Sequence, residues 1–225
     1  MSEGIKKLFS KISEKYDLIN NILTFGLDNF WRKKTAKVGL KFNGNLCLDV
    51  CGGTGKQAYY LKKFSNKNVF SVDFCLPMLN KAKNYKEIKL ISSNAKFLPF
   101  KDETFDLVAI SFATRNLNTK KEEMILAFKE FKRVLKKGGY FLNLETTQPP
   151  FFLLKWLLHF YSKTLIKPVG TFLSGSKEAY SYLSSTIPKF YKAEILKEIL
   201  KESGFSEVSY KYFFPYVVAL HISKK

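Results

Sequence analysis

Apolar residues return at helical spacing from the start of the chain. Ile5, Leu8, Phe9, Ile12, Tyr16 and Ile19 share one side of a helix of about four turns that ends near Asn20-Asn21. A second helix is expected after Gly26, capped by Asp28 and with Trp31 on its inner face. Residues 1–44 therefore form a helical cap ahead of the first strand, placed either to pack or to act as a lid.

From Asn45 the pattern becomes strand then helix, repeatedly. Leu46 to Cys51 is a first strand, followed by a helix from Gly55 to about Phe64; Asn68 to Phe74 is a second strand whose acid is Asp73, and Pro77 opens a helix to about Tyr85. Ile88 to Ser92 and Phe105 to Phe112 are the third and fourth strands. Lys120 to Lys136 is a helix with Met124, Phe128, Phe131 and Leu135 on one side, and Gly138-Gly139 ends it and starts a fifth strand, Tyr140 to Leu144. Alternation of this kind predicts an α/β fold: a mostly parallel sheet with helices on both faces and ligands at the carboxyl ends of the strands.

Pro149-Pro150 breaks the pattern. The stretch FFLLKWLLHFYSKTLI is strongly apolar, but Lys155, His159 and Lys163 interrupt it, so it predicts an amphipathic helix rather than a membrane span. Residues 148–188 would sit over the mouth of the sheet as an insertion. A last helix through Ile195, Leu196, Ile199 and Leu200 stops at Gly204, and strands near Val208 to Phe213 and Val217 to Ile222 form a hairpin that adds an antiparallel edge. One domain over 1–225 accommodates all of this.

The chemistry concentrates at Leu46 to Gly55, where an apolar strand closes on Asp49 and then on Gly52, Gly53, Thr54 and Gly55. Glycines there let the backbone turn sharply and approach a ligand, and the next helix points its amides toward it. Gly53 to Ala58 also satisfies the G-x-G-x-x-A dinucleotide fingerprint, with Asp73 at the distance of a ribose-binding acid. Asp49, however, places negative charge where a pyrophosphate would lie. A phosphate-free, cationic cofactor suits the loop better, and S-adenosylmethionine has both properties.

Charge adds less than its size suggests. The net +19 comes from lysines scattered along the whole chain, and only Arg32, Arg115 and Arg133 carry the planar fork that reads phosphates and base edges, so no dedicated nucleic-acid site is expected. Three cysteines without CxxC spacing support neither a disulfide framework nor a metal site, and fit a cytoplasmic protein. The two histidines, His159 and His221, are expected to be packing or surface residues.

Several segments in order carry a more specific resemblance: LDVCGGTG, SVDFCLPML, SNAKFLPF and FDLVAIS resemble the motifs of class I methyltransferases with a Rossmann-like, seven-stranded sheet. FSKISEKYDLINNILTFGLDNFWRK, SFATRNL, EFKRVLKKGGYFLNLETTQP and PVGTFLSGSKEAYSYLSSTIPKF narrow it to the UbiE/MenG family, the C-methyltransferases of ubiquinone and menaquinone biosynthesis. The resemblance implies S-adenosylmethionine as cofactor, with Asp49, Gly52, Gly53, Thr54 and Gly55 at its methionine end, Asp73 on the ribose, Asn94 and Ala95 beside the adenine, and Ser111 also in contact. It implies Arg115 and Asn116 at the methyl-transfer centre, Tyr16, Tyr180 and Tyr182 facing the substrate, and no metal. The implied substrate is a polyprenylated quinol, demethylmenaquinol or the ubiquinone-pathway benzoquinol, with RNA or another small molecule as the alternative within the same fold. A homodimer is ordinary for the family, and the lysines suit a peripheral contact with the anionic inner face of a membrane. Two positions depart from the pattern: Lys56 stands where the family usually has an acid, and Ser184 where it has a proline.

Overall fold

The computed structural model describes residues 3–117 and 120–225. Its centre is a seven-stranded sheet of order β3-β2-β1-β4-β5-β7-β6, built from β1 Leu46–Val50, β2 Asn68–Asp73, β3 Lys89–Ser92, β4 Phe105–Ser111, β5 Leu135–Thr146, β6 Glu207–Phe213 and β7 Val218–Lys224. The first five strands are parallel, and β7 runs antiparallel to both β5 and β6. The interior strand β1 is buried almost throughout, because helices cover both of its faces; β6 alternates instead, as an edge strand with one wet face does.

Two cores lie on opposite faces. On one, α7 (Lys121–Val134) and α11 (Ala193–Glu202) pack Phe128, Phe131, Leu196 and Leu200 against Leu48, Val108 and Phe141. On the other, α3 (Leu27–Gly39) and α4 (Lys56–Phe64) pack Trp31, Ala36, Ala58 and Leu61 against Cys47, Leu107 and Leu142. A third cluster joins the cap to the insertion. Ile12 of α1 (Glu3–Ile12) and Ile19 of α2 (Tyr16–Leu23) meet Met78 of α5 (Leu76–Ala82) and Tyr180 of α10 (Lys177–Thr186). Between Pro150 and α10 the insertion contributes α8 (Phe152–Tyr161), a π-helical turn at Ser162–Ile166 and α9 (Lys167–Ser174); α6 is the single turn Thr114–Leu117.

Three local expectations are revised. The first amphipathic stretch is two helices, not one: the turn at 13–15 lets Ile12 and Ile19 reach the same buried cluster from different helices. Asp28 does not cap α3. Gly26, at φ 77°, makes that entry, and Asp28 is buried one step inside, bonded to Arg32. Gly138-Gly139 does not stop a helix, since α7 ends at Val134 and the pair lies within β5, where pairing with β4 slips between Phe105 and Leu107.

Candidate active site

Strand order reverses between β1 and β4, so the crevice at their carboxyl ends is where this architecture places a ligand. The backbone is strained there. Cys51, just past β1, has φ 53° and Phe112, just past β4, has φ 57°; neither is glycine, and such conformations persist where the surroundings impose them. Between these two turns lies a narrow cavity of about 50 Å³, walled by Gly52, Gly53, Thr54, Asp73, Ser111 and Asn116 among others, with Phe9 and Tyr16 of the cap closing it.

Its polar groups are aimed and buried. Asp73 is 7% exposed, and its carboxylate accepts bonds from the amides of Gly53 (2.9 Å) and Cys75 (2.8 Å), which tie the glycine loop to the end of β2. Burial raises the Asp73 carboxyl above the ordinary range, although these amides pull the other way. A side chain at Gly53 would project into open space, whereas one at Gly52 would strike the Ser71 hydroxyl at 2.0 Å. Ser111 carries a buried hydroxyl with no protein partner. Open backbone at Gly53, an unspent hydroxyl at Ser111 and a buried acid at Asp73 suit a polar ligand that comes close to the main chain, as S-adenosylmethionine would.

Asp49 lies behind this wall. It is 1% exposed; one oxygen accepts from the Ala58 amide at 3.1 Å and the other has no partner. Burial pushes its carboxyl up to about 7, against the opposing pull of Arg32. Arg32 lines the cavity itself, 6% exposed, with its guanidinium 5.0 Å from the Phe112 ring centre and its Nε donating to Asp28 at 2.9 Å. Residue-type reasoning passed over Arg32, because α3 delivers it from ahead of the glycine loop and only its place inside the WRK run marked it. Gly55, Asn94 and Ala95 are outside the cavity wall; Asn94 instead accepts from the Lys96 amide at 3.1 Å, and Ala95 is buried beside the end of β3.

Lys56 also finds its place. Its ammonium is 3.6 Å from Asp17 and 3.7 Å from Asp28, and Asp17 accepts from the Thr54 hydroxyl at 2.9 Å. A lysine at this position is therefore met by two acids of the cap, and the same contacts fasten the cap to the glycine loop.

A second cavity, about 350 Å³ and mostly apolar, opens beside the first. Leu23 and Phe25 of the cap, Leu157 and Leu158 of α8, Leu183 of α10 and Pro215 of the β6–β7 turn are on its wall. Tyr16 borders both cavities, and burial raises its phenol above the ordinary value. Arg115 is the buried cation on the apolar side: its Nη1 donates to Glu145 at 2.8 Å and to Thr146 at 3.2 Å, and its backbone amide donates to the other Glu145 oxygen at 3.2 Å. Glu145 is 1% exposed and Arg115 Nε is buried with no partner. Next in the chain, Asn116 faces the polar cavity and accepts from the Tyr182 hydroxyl at 3.0 Å. Burial raises the Tyr182 phenol, against a smaller opposing pull from Arg115.

Tyr180 is on neither wall. Fully buried, it fills the space that a side chain at Gly170 would occupy, 2.0 Å from the added carbon, and its hydroxyl has no partner. The histidines also stand apart. His221 is buried against the Ala193 carbonyl and held down to about 4 by desolvation, and His159 bonds Gln148 at 2.7 Å.

Comparison with known proteins bears on the family and the fold. A family model described as the ubiE/COQ5 methyltransferase family matches residues 1–225. Proteins named demethylmenaquinone methyltransferase from several Staphylococcus aureus strains are 36% identical over 230 residues, covering 99% of this chain and 93% of their own length. Among solved structures, an S-adenosylmethionine-dependent methyltransferase from Thermotoga maritima, described as a possible histamine N-methyltransferase, superposes with a TM-score of 0.72 at 18% identity, over 98% of this chain and 99% of that one. Another from Archaeoglobus fulgidus gives 0.68 at 17% identity, over 93% and 99%. At such identities these two establish a shared fold.

Proposed function

The chain belongs to the ubiE/COQ5 methyltransferase family, and from that premise we propose that it transfers a methyl group from S-adenosylmethionine to a ring carbon of a polyprenylated quinol, demethylmenaquinol being the substrate that its relatives' names indicate. The observation that carries this reading is the meeting of two unlike cavities at Arg115-Asn116, one polar and floored by the glycine loop, the other apolar and roomy.

The cofactor supplies an electrophilic methyl group on a cationic sulfur; the protein has to bind it, keep water out and make the ring carbon nucleophilic. Asp73 takes the ribose hydroxyls. Asp49, under Gly52, favours the cationic amino-acid end, and Arg32 holds its carboxylate. Ser111 lines the cavity at the end of β4, and the adenine extends past the wall toward Asn94 and Ala95, beyond the end of β3.

A quinol becomes nucleophilic at carbon when a phenolic oxygen loses its proton. A guanidinium has five N–H donors and no acceptor, so Arg115 does not serve as an ordinary base. It favours the phenolate by placing a fixed positive charge where negative charge develops, in a site walled by hydrocarbon. Glu145 positions it: a buried carboxylate gripping Nη1 and the backbone amide fixes the guanidinium before substrate arrives. Asn116, its carbonyl already oriented by Tyr182, directs its amide at the quinol oxygen or at a water that takes the phenolic proton. Tyr16 lies between the two ligands, and Tyr180 holds the insertion together. The isoprenoid tail follows the apolar cavity outward, toward an anionic membrane in which such a molecule resides.

The test is a labelled-methyl assay offering the same protein a short-tailed demethylnaphthoquinol, a benzoquinol lacking the same methyl, and RNA. Label in the naphthoquinol supports the reading, label in the benzoquinol alone moves it to the other quinone pathway, and label in RNA overturns it.

A further inference from the structure

One helix of the insertion is built for two apolar surfaces at once. In α8, Leu154, Leu157, Leu158 and Tyr161 line the apolar cavity. The opposite stripe is just as apolar and is uncovered: Phe152 is 84% exposed, Leu153 65%, Trp156 53% and Phe160 53%. These positions recur at i, i+1, i+4 and i+8, so they share a face, and the Trp156 and Phe160 rings stack 5.5 Å apart on it. No residue of α8 is buried. A monomer in water gains nothing from such a stripe, and patches of this kind mark interaction sites.

The patch continues onto other elements around the cavity mouth. Phe25, 83% exposed, lines the cavity and lies 6.4 Å from the Tyr161 ring. On the other side Phe151 meets Tyr216 edge-on at 5.7 Å, beside Phe214, which is 69% exposed, and Pro215, which is on the cavity wall. Charge identifies what covers it. Between Glu145 and Glu178 the chain has no acidic residue and four lysines, Lys155, Lys163, Lys167 and Lys177, and beside Phe152 the lysines Lys155 and Lys192 outnumber the one acid, Glu194, so the surroundings of the stripe are net positive. Aromatic rings on a short helix with flanking lysines seat at the level of lipid headgroups, the lysines reaching anionic phosphates. The described helices include none long and apolar enough to cross a bilayer.

We infer that α8, with Phe25 and Phe214, docks this protein onto an anionic lipid bilayer, so that the mouth of the apolar cavity opens into the acyl region and a long-tailed substrate enters sideways without crossing water. The route of the tail rests on the quinol reading; the docking face does not.

The two tryptophans allow a direct test, because Trp31 is 4% exposed and Trp156 is on the stripe. Vesicles of equimolar phosphatidylglycerol and phosphatidylcholine should co-sediment with the protein, shift the emission of Trp156 to the blue and expose it to quenching by bromine-labelled acyl chains; Trp156→Phe removes the signal. Phe152→Glu with Phe160→Glu should weaken vesicle binding about tenfold or more, while leaving turnover of a short-tailed quinol in detergent-free buffer unchanged. The inference is overturned by Trp156 emission indifferent to anionic vesicles, or by a double variant that binds them as the unaltered protein does. It is equally overturned by a dimer in solution that the double variant converts to monomer, which would assign the face to a second copy. Vesicle binding that follows these expectations without methylation of any quinol leaves the docking face standing and removes the quinol reading instead.

Discussion

The two cavities are made in opposite ways. The polar one is assembled chiefly from short runs, 51–54 after β1, 73–75 at the end of β2 and 111–113 with Asn116 at the end of β4, delivered to one edge by parallel strands, and Phe9, Tyr16 and Arg32 of the cap complete it. The apolar one takes scattered residues from α2, α3, α8, α10 and the β6–β7 turn, elements far apart in sequence. Strand ends fix the first to the core, where Asp73 is bonded by two loop amides. The second has walls that pack on each other through Tyr180 and Ile19. On the proposed reading, the position of the cofactor derives mainly from the sheet, and the choice of the acceptor mainly from the helices around it.

If that division holds, substitutions on the two sides should separate binding from turnover. The largest effect is expected at Arg115. Arg115→Ala leaves Glu145 buried and unpaired and removes the charge facing the phenolate, so turnover should fall about 1,000-fold or more. S-adenosylmethionine affinity by calorimetry should change little; loss of cofactor binding would break the comparison. Asp73→Ala should do the reverse and raise the cofactor dissociation constant about 100-fold, since it removes a ribose partner and frees the Gly53 amide. Unchanged affinity would remove Asp73 from the ribose.

The next effect is one of pH. Burial holds the Asp49 carboxyl up to about 7, while in the unfolded chain it titrates near ~3.9. A raised folded value means that the stability tied to the protonated form is complete below about 4 and is lost as pH rises through about 7. Asp49→Asn stays neutral and can still accept from the Ala58 amide, so without cofactor it should match the native protein near pH 4 and exceed it above pH 7. The distance between the two values corresponds to ~4 kcal/mol at most, and relaxation of the buried site brings the expected gap to about 2 kcal/mol. Urea unfolding at several pH values measures it. The same substitution should weaken cofactor binding and flatten its pH dependence, a stability gain at the expense of function. A gap that does not grow with pH would mean that Asp49 is ionised in the folded protein.

How far the chain could be read without coordinates follows the same division. The strands and the glycine loop were legible because each is a local pattern: LCLDV, NVFSVD and FDLVAIS are largely buried runs that carry Asp49, Asp73 and Ser111 at or next to their carboxyl ends. The resemblance supplied Arg115 and Asn116, but not what holds them. Glu145 is 30 residues from Arg115 and meets it only because β5 lies beside β4. Helix signals misled where backbone geometry outranked residue type. Asp28 looked like a cap, yet Gly26 in the left-handed region already turned the chain, leaving Asp28 free to pair with Arg32. Lys56 departs from the family pattern, and its two acidic partners are in the cap, where spacing along the chain says nothing of proximity.

Arg32 is where the two constructions overlap, since α3 belongs to the cap and its guanidinium to the polar cavity. A guanidinium has five N–H donors, and Asp28 engages the one at Nε. The others suit a carboxylate, which the cofactor carries at its methionine end and 5′-methylthioadenosine lacks. Arg32→Gln keeps a donor and leaves Asp28 its contact with Lys56 at 3.7 Å. It should weaken S-adenosylmethionine about tenfold, the value of one charge-assisted bond, and leave 5′-methylthioadenosine within about twofold. A purely structural arginine would cost both ligands alike. Arg32→Lys, which restores charge without the planar fork, should recover part of the loss for the first ligand and none for the second; equal weakening of the two would return Arg32 to the packing of α3 and leave the cofactor carboxylate to the backbone of the glycine loop.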